Sequence, residues 1–380
     1  MNNVMESESV LDWCKRTVPP PAPNGSSPSI SIVDLFCGCG GLTLGAWDAV
    51  RRSGRRLDIR MAVDFAEIPL RVFRDNIRTD AWRVRHADVG KLLDGQLGSP
   101  STATERYWKG RVGPLSLLVA GPPCQGHSDL NNSTRRKDPR NELYLRVIRA
   151  AEIFKPAALV IENVPTVIHD RQNVVGVSKE WLSTLGYTTA DSVVQVSSLG
   201  VPQLRKRHVL VATRVGAFDF ELLPKSNEPA TVGQFVAGLE DEPDIRDEPY
   251  FQPSRMSPDN LKRVGFLFER DLFDLPNERR PECHRDRPHS YISMYGRMHW
   301  DKPAQTITSG FGSMGQGRFV HPLRQRTLTP HEAARLQGFP DFFDFSDATG
   351  VTALREMIGN AVPPQLSAAI VAQLIESGVV

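Results

Sequence analysis

Cys124 lies in the run Ala120-Gly121-Pro122-Pro123-Cys124-Gln125-Gly126-His127-Ser128, directly after the apolar stretch Leu115-Ser116-Leu117-Leu118-Val119-Ala120. The apolar stretch reads as a buried strand. Gly121 and two successive prolines then end it, because proline lacks an N–H for the ladder and fixes its own backbone. The thiol is therefore predicted on a stiff turn at the end of a strand, where open α/β sheets hold ligands. A nucleophile and a merely packed thiol both satisfy these residues, since free cysteine is among the most buried residue types. Both readings stand at this point.

Other charged groups fall near strand ends. Glu162 follows the apolar strand Ala157-Ala158-Leu159-Val160-Ile161 and opens Glu162-Asn163-Val164-Pro165. Arg205 and Arg207, in Gln203-Leu204-Arg205-Lys206-Arg207, lie between two strand-like stretches, Thr188 to Ser197 and His208 to Ala212. A thiol, a carboxylate and an Arg-x-Arg pair could meet at one edge of a parallel sheet. Taken singly, Glu162 could serve an ordinary ion pair and the arginines a solvated surface run.

The elements that must position these groups begin with a β-branched strand, Ile30 to Phe36. It runs into Cys37-Gly38-Cys39-Gly40-Gly41 and a helical pattern from Leu42 to about Val50. Strand, glycine turn and helix form the first unit of a doubly wound sheet. Glycines let a ligand approach the backbone, and the helix start offers N–H groups. Thr43 occupies the third glycine position of the dinucleotide fingerprint, which disfavours a nicotinamide cofactor. A second strand, Ile59 to Val63, ends at Asp64-Phe65. Asp64 could accept from a ribose or cap the following helix, Glu67 to Asn76, and Phe65 could stack on a purine. A third acidic strand end is His86-Ala87-Asp88. Helices are expected at Glu142 to Phe154, about Lys179 to Leu185, after the Thr329-Pro330 cap, and from Gln365 to about Glu376. Between Val215 and about Trp300 the chain is rich in Pro, Arg and Asp with weak periodicity, and reads as an irregular insertion.

Composition sets the bounds. The 380 residues are 40% hydrophobic and 24% charged, ordinary for a globular chain, with a formal net charge of +2 that announces no overall basic field. The five cysteines match neither a zinc site nor a disulfide framework, so no metal is expected and a reducing compartment is the natural reading. No apolar run approaches membrane-spanning length, residues 1–31 lack a signal-peptide core, and Pro19 to Pro28 predicts a flexible arm.

Together, and in order, these segments resemble the C5-cytosine DNA methyltransferases. Asp34 to Gly41 is similar to the family's first motif, and Pro122-Pro123-Cys124-Gln125 with Ser128 to its nucleophile motif. Glu162-Asn163-Val164 and Gln203-x-Arg205-x-Arg207 are similar to the next two. Arg326-x-Leu328-Thr329-x-x-Glu332-x-Ala334-Arg335-Leu336-Gln337-Gly338-Phe339-Pro340 resembles the ninth, and Gly359-Asn360-Ala361-Val362 the last. The resemblance covers about residues 30 to 375 apart from the insertion. One departure is Asp64, where the family more often has Glu.

The resemblance implies a doubly wound, Rossmann-like α/β methyltransferase sheet with a smaller, irregular target-recognition domain. It implies a catalytic domain at 30–214 and 326–380 and target recognition at 215–325, and leaves residues 1–29, expected as a flexible N-terminal arm, outside the shared core. It implies methyl transfer from S-adenosylmethionine to C5 of a cytosine flipped out of double-stranded DNA. In that scheme Cys124 adds to C6, Glu162 meets N3 carrying a proton, and Arg207, with Arg205 beside it, meets O2. The cofactor would lie along Phe36, Gly38, Gly40, Gly41, Asp64, Phe65, Asp88 and Pro123, closed by Asn360 and Val362. Gln125, Ser128, Gln203 and Arg318 would touch DNA. A monomer in the bacterial cytoplasm is expected, either with a cognate restriction endonuclease as companion but no stable complex, or as an orphan modification enzyme, and with no membrane. A tRNA methyltransferase of the same fold is the nearer alternative, though its Cys-Phe-Thr signature is absent from the insertion. A catalytically silent DNA-binding relative is the alternative of another class.

Overall fold

A computed structural model describes residues 8–123, 142–170, 172–285 and 293–380. The chain divides into two compact units. One contains residues 20–195, 206–224 and 362–380, the other residues 1–19, 196–205 and 225–361.

The first is a sheet unit. Its strands are β1 (Ser29–Leu35), β2 (Arg56–Asp64), β3 (Val84–His86), β4 (Leu117–Ala120), β5 (Ala158–Asn163), β6 (Thr188–Gln195) and β7 (Lys206–Thr213). They run in the order β3-β2-β1-β4-β5-β7-β6. The first five are parallel, and β7 is antiparallel to both of its neighbours. Burial explains the strand sequences: β4 and β5 are covered on both faces and read as near-continuous apolar runs. The order reverses between β1 and β4, which opens the ligand crevice of a doubly wound sheet at their carboxyl ends. There the Gly121 N–H donates to Leu35 O at 3.3 Å.

Thirteen α-helices are described across the two units: α1 (Val10–Cys14), α2 (Gly41–Arg52), α3 (Glu67–Asn76), α4 (Val89–Leu92), α5 (Ala103–Val112), α6 (Glu142–Phe154), α7 (Val174–Thr184), α8 (Val232–Val236), α9 (Glu242–Ile245), α10 (Pro258–Glu269), α11 (Pro330–Leu336), α12 (Val351–Asn360) and α13 (Pro364–Glu376). In the sheet unit α13 crosses α2 very closely. A Cβ on Gly45 would lie 1.9 Å from Pro364 O, and one on Gly41 2.3 Å from Val362 O. The Ser367 hydroxyl donates to Leu42 O at 2.8 Å. Opposite the sheet, α5 and α6 are joined by a buried ion pair. Arg149 Nε and Nη2 meet the two Glu105 oxygens at 2.8 and 2.6 Å, and the Gly95 and Thr102 N–H groups donate to the same carboxylate. Its burial opposes the charge, but these donors hold Glu105 below the usual carboxylate range.

The second unit buries Val264, Leu267, Leu275 and Val320 against α10, and a separate cluster of Phe339, Phe343 and Phe345 after α11. Its polar centre is Glu332, fully buried. Arg326 grips the carboxylate with both Nη atoms at 2.8 and 2.7 Å, and the Thr329 N–H donates at 2.9 Å. Desolvation alone would raise this group, but Arg326 and His321 bring it down to about 2.

Three expectations are corrected. The arm is not flexible over residues 8–19: Trp13 is buried against Phe342 at 5.4 Å, and the Asp341 N–H donates to Cys14 O. The insertion is not wholly irregular, because α10 forms behind a Ser257 cap with Pro258 at its first position. Residues 326–361 pack with 225–325, so the compactness boundary falls after Ala361 rather than at 325. One described stretch, 351–376, has the length and apolarity of a membrane span. It is two helices separated at 361–363, with buried faces in their own units.

Removing one partner of a buried ion pair leaves an uncompensated charge. Arg149→Met should therefore lower stability by about 3–5 kcal/mol, measured by urea unfolding. Glu332 has a depressed folded pKa, so its contribution is present above its usual 4.5 and is lost as pH falls toward about 2. In acid titrations of unfolding, Glu332→Gln should be less stable at neutral pH and lose less stability across that window.

Candidate active site

The site is built at the carboxyl ends of β1, β2, β4 and β5. Glu162 ends the apolar run of β5 and is 7% exposed. In the antiparallel register it faces Val209, which makes Arg207 its diagonal neighbour. Arg207 Nε meets Glu162 Oε1 at 2.6 Å, and both side chains are nearly buried. The other oxygen, Oε2, is 3.6 Å from where a Gly121 Cβ would stand, three residues ahead of Cys124. Asn163 completes the link: its Nδ2 donates to Pro122 O at 3.3 Å, and its Oδ1 accepts from the Val164 N–H at 2.8 Å. The carboxylate strand thus holds the double-proline turn. Cys124, Gln125 and Ser128 lie outside the described residues.

The glycine turn lies on the neighbouring strand ends. Phe36 has φ +61°, unusual for a residue with a side chain, and packs partly buried against the core. Gly38 has φ +52°, and nothing lies within 4 Å of where its Cβ would be. Its N–H donates to Asp64 Oδ2 at 2.8 Å, while Asp64 Oδ1 accepts from the Ala66 N–H at 2.8 Å. Gly40 has φ +100°, and a Cβ there would approach Phe73 to 2.9 Å. Phe65 stands 76% exposed, with its carbonyl 2.9 Å from His86 Nε2. Asp88 caps α4 through the Gly90 N–H at 2.8 Å. Pro123 follows the held turn, and Val362 lies on Gly41. Asn360 is exposed at the end of α12, in the second unit.

Beneath the turn, Asp34 is fully buried and accepts from Thr43 Oγ1 at 2.6 Å. Burial pushes its carboxyl up to about 7, against the pull of the Thr43 hydroxyl and with a push from Asp64. Thr43, which spoils the dinucleotide fingerprint, is present for this bond. Buried Cys39 is pushed up to about 12 by desolvation, and Cys37 is raised the same way, so neither is a ready thiolate.

Three residues expected at the chemistry or on DNA are used internally. Arg205 is 2% exposed, and its Nη1 donates to Ile307 O at 2.8 Å and Gly359 O at 3.3 Å within the second unit. Gln203 is fully buried. Its amide donates to Leu336 O at 2.8 Å and Gln337 Oε1 at 2.7 Å, and it accepts from the Ile307 N–H. Arg318 donates to Phe273 O at 2.7 Å and Arg297 O at 3.0 Å and pairs with Asp274. Each donates to backbone carbonyls of its own unit, which need donors. Their motif and glycine-rich contexts gave no sign of that burial. Asn163 and Asp34 are positioning groups that sequence reasoning passed over, although both stood inside recognised motifs.

Sheet order and crevice define an α/β methyltransferase. The S. pombe Dnmt2 methyltransferase superposes with a TM-score of 0.64, covering 92% of this chain and 99% of that one at 15% identity, a likeness of fold. The C-5 cytosine-specific DNA methylase family matches residues 30–376. The type II methyltransferase M1.BsuMI of Bacillus subtilis is 45% identical over 344 residues, covering 90% of this chain and 79% of its own. The type II methylase M.HgiDII of Herpetosiphon aurantiacus is 30% identical over 351 residues, covering 90% and 93%. The chain belongs to the C-5 cytosine-specific DNA methylase family, and its activity is that of a DNA (cytosine-5-)-methyltransferase.

The two motif arginines should separate in experiment. Arg205→Met removes the donor of buried carbonyls and should lower the melting temperature by several degrees, on the order of 2 kcal/mol. Arg207→Met strands the nearly buried Glu162 carboxylate and should also lower stability, but it alone should lose methyl transfer at temperatures where both variants remain folded.

Proposed function

We propose that the chain is the modification enzyme of a restriction-modification system, working by covalent catalysis from Cys124. The Arg207–Glu162 contact of 2.6 Å, beside the turn that leads to Cys124, carries this reading. Cytosine C5 is a poor nucleophile until a thiolate adds to C6 and makes the ring an enamine. Electron density then builds toward N3 and O2. Glu162 delivers a proton at N3, and the Arg207 guanidinium meets O2. Once C5 has taken the methyl group, a base takes its proton, the C5=C6 bond re-forms as Cys124 leaves as thiolate, and the N3 proton returns to Glu162. Arg205 has no direct part in these steps; it holds backbone in the second unit. Asn163 positions the nucleophile turn.

The residues at the glycine turn fit S-adenosylmethionine, which when bound supplies an electrophilic methyl on sulfur. The open space over Gly38 and the exposed Phe65 ring support this. Asp64 keeps lone pairs beyond its two backbone donors and would take ribose hydroxyls. Phe65 would stack on the purine, and Phe36, Gly38, Gly40, Gly41, Asp88, Pro123 and Val362 of the sheet unit would line the rest. Residues 215–325 would hold double-stranded DNA, with Gln125 and Ser128 on the flipped base's strand. Flipping costs a few kcal/mol. Gln203 and Arg318 are not assigned to DNA, since both are engaged internally. The enzyme would work in the cytoplasm as a monomer.

Cys124→Ser should lose methyl transfer to target duplex by roughly a thousandfold or more while retaining cofactor affinity. Glu162→Gln should keep DNA binding and lose most of the rate. Labelled-methyl transfer and cofactor titration check both, and normal turnover in Cys124→Ser would refute the covalent step.

A further inference from the structure

The β3 edge of the sheet unit carries a basic, aromatic surface that the methylation site does not use. Trp82 is 39% and Tyr107 54% exposed. The Arg111 guanidinium lies over both rings, 5.1 Å from the Trp82 centroid and 5.4 Å from that of Tyr107. Arg83 lies over Trp82 at 5.3 Å, and Arg85 over Trp108 at 5.5 Å. Trp108 in turn meets Tyr107 edge to face at 5.1 Å. Arg106 and Lys109 are exposed on the same helix, α5.

Local carboxylates do not neutralise this surface. Asp58 and Asp80 pair with Arg83, and Glu105 is buried against Arg149. Among the described residues, no carboxylate pairs with Arg85, Arg106, Lys109 or Arg111. Stacking fixes the guanidinium planes and leaves their N–H edges to meet planar anions. Since guanidiniums already lie over the Trp82, Tyr107 and Trp108 rings, stacking of unpaired bases is disfavoured, and the edges suit the phosphates of a duplex.

We propose that this surface is a second DNA-backbone contact, taking a duplex segment other than the one that presents the target base. Its placement supports that separation. Arg83 bonds Asp58 and Ile59 O in the first half of β2, and Arg111 ends α5 ahead of β4. Arg83 and Arg111 lie toward the amino ends of the strands and the crevice at their carboxyl ends, while Arg85 pairs in register with Val63 on the crevice side of the same edge. With a net charge of only +2, local concentration of this kind supplies the sequence-independent attraction that the whole chain lacks.

The test is the salt dependence of binding to a target-free duplex of about 100 base pairs, for wild type and Arg85→Gln/Arg111→Gln. Losing two phosphate contacts should reduce the slope of log K against log salt by about 2. Methylation of a target duplex of about 14 base pairs should stay unchanged, which also shows that the variant is folded. Arg85→Lys/Arg111→Lys should restore the slope. An unchanged slope overturns the proposal. So does an equal loss on the short duplex, which would place the surface at the target site. Displacement of an acidic peptide with no change in slope would assign the surface to a protein partner and overturn it as well.

Discussion

No side chain can stand at Gly41 or Gly45, and the sheet unit depends on that fact. Val362 O and Pro364 O come so close to α2 that a methyl group at either glycine would overlap a carbonyl oxygen. The close crossing lets α13 cover α2, and α2 in turn supports the glycine turn at the end of β1. The cofactor side of the site therefore rests on residues brought back after Pro224, from Val362 onward. A long excursion is tolerated because loop closure grows only slowly with length. The second unit occupies it.

Polar groups in the molecule divide by whether their donors are already engaged. Gln203, Arg205 and Arg318 sit in family motifs or a glycine-rich stretch, yet each is used by buried carbonyls of its own unit. Arg207 differs. Strand pairing places it diagonal to Glu162, and the two form one charged pair beside the nucleophile turn. The Arg-x-Arg motif thus serves two ends: one arginine holds backbone of the second unit, and the other pairs with Glu162 beside the double-proline turn. The same distinction separates Arg83, matched by Asp58 and Asp80, from Arg111, matched among the described residues by aromatic rings alone.

Much of the sheet was legible because its central strands β1, β4, β5 and β7 are largely buried on both faces and its turns carry glycine and proline. The helix Glu67 to Asn76 and the helix Glu142 to Phe154 were read with the bounds they have. Helix α5 was missed, although Thr102 and Glu105 form a capping box, because most of its residues are charged or small and no apolar stripe stands out. Helix α10 was hidden in the same way behind Ser257-Pro258. At the site, Glu162 and Arg207 could be paired only through family likeness, since their contact follows from an antiparallel register set across β5 and β7. The burial of Arg205 and Gln203 was not legible, because it is made by carbonyls about a hundred or more residues away.

The crossing of α13 over α2 also has a meaning during synthesis. When Pro224 leaves the ribosome, all seven strands have been made, yet the face of α2 that α13 covers is still bare. At typical elongation rates of about 5–20 residues per second, the stretch to Val362 takes on the order of ten seconds. During that interval the nascent chain presents an uncovered apolar groove and an unsupported glycine turn. The second unit is thus also a timer, setting how long a half-built methyltransferase must avoid aggregation before its last helix arrives.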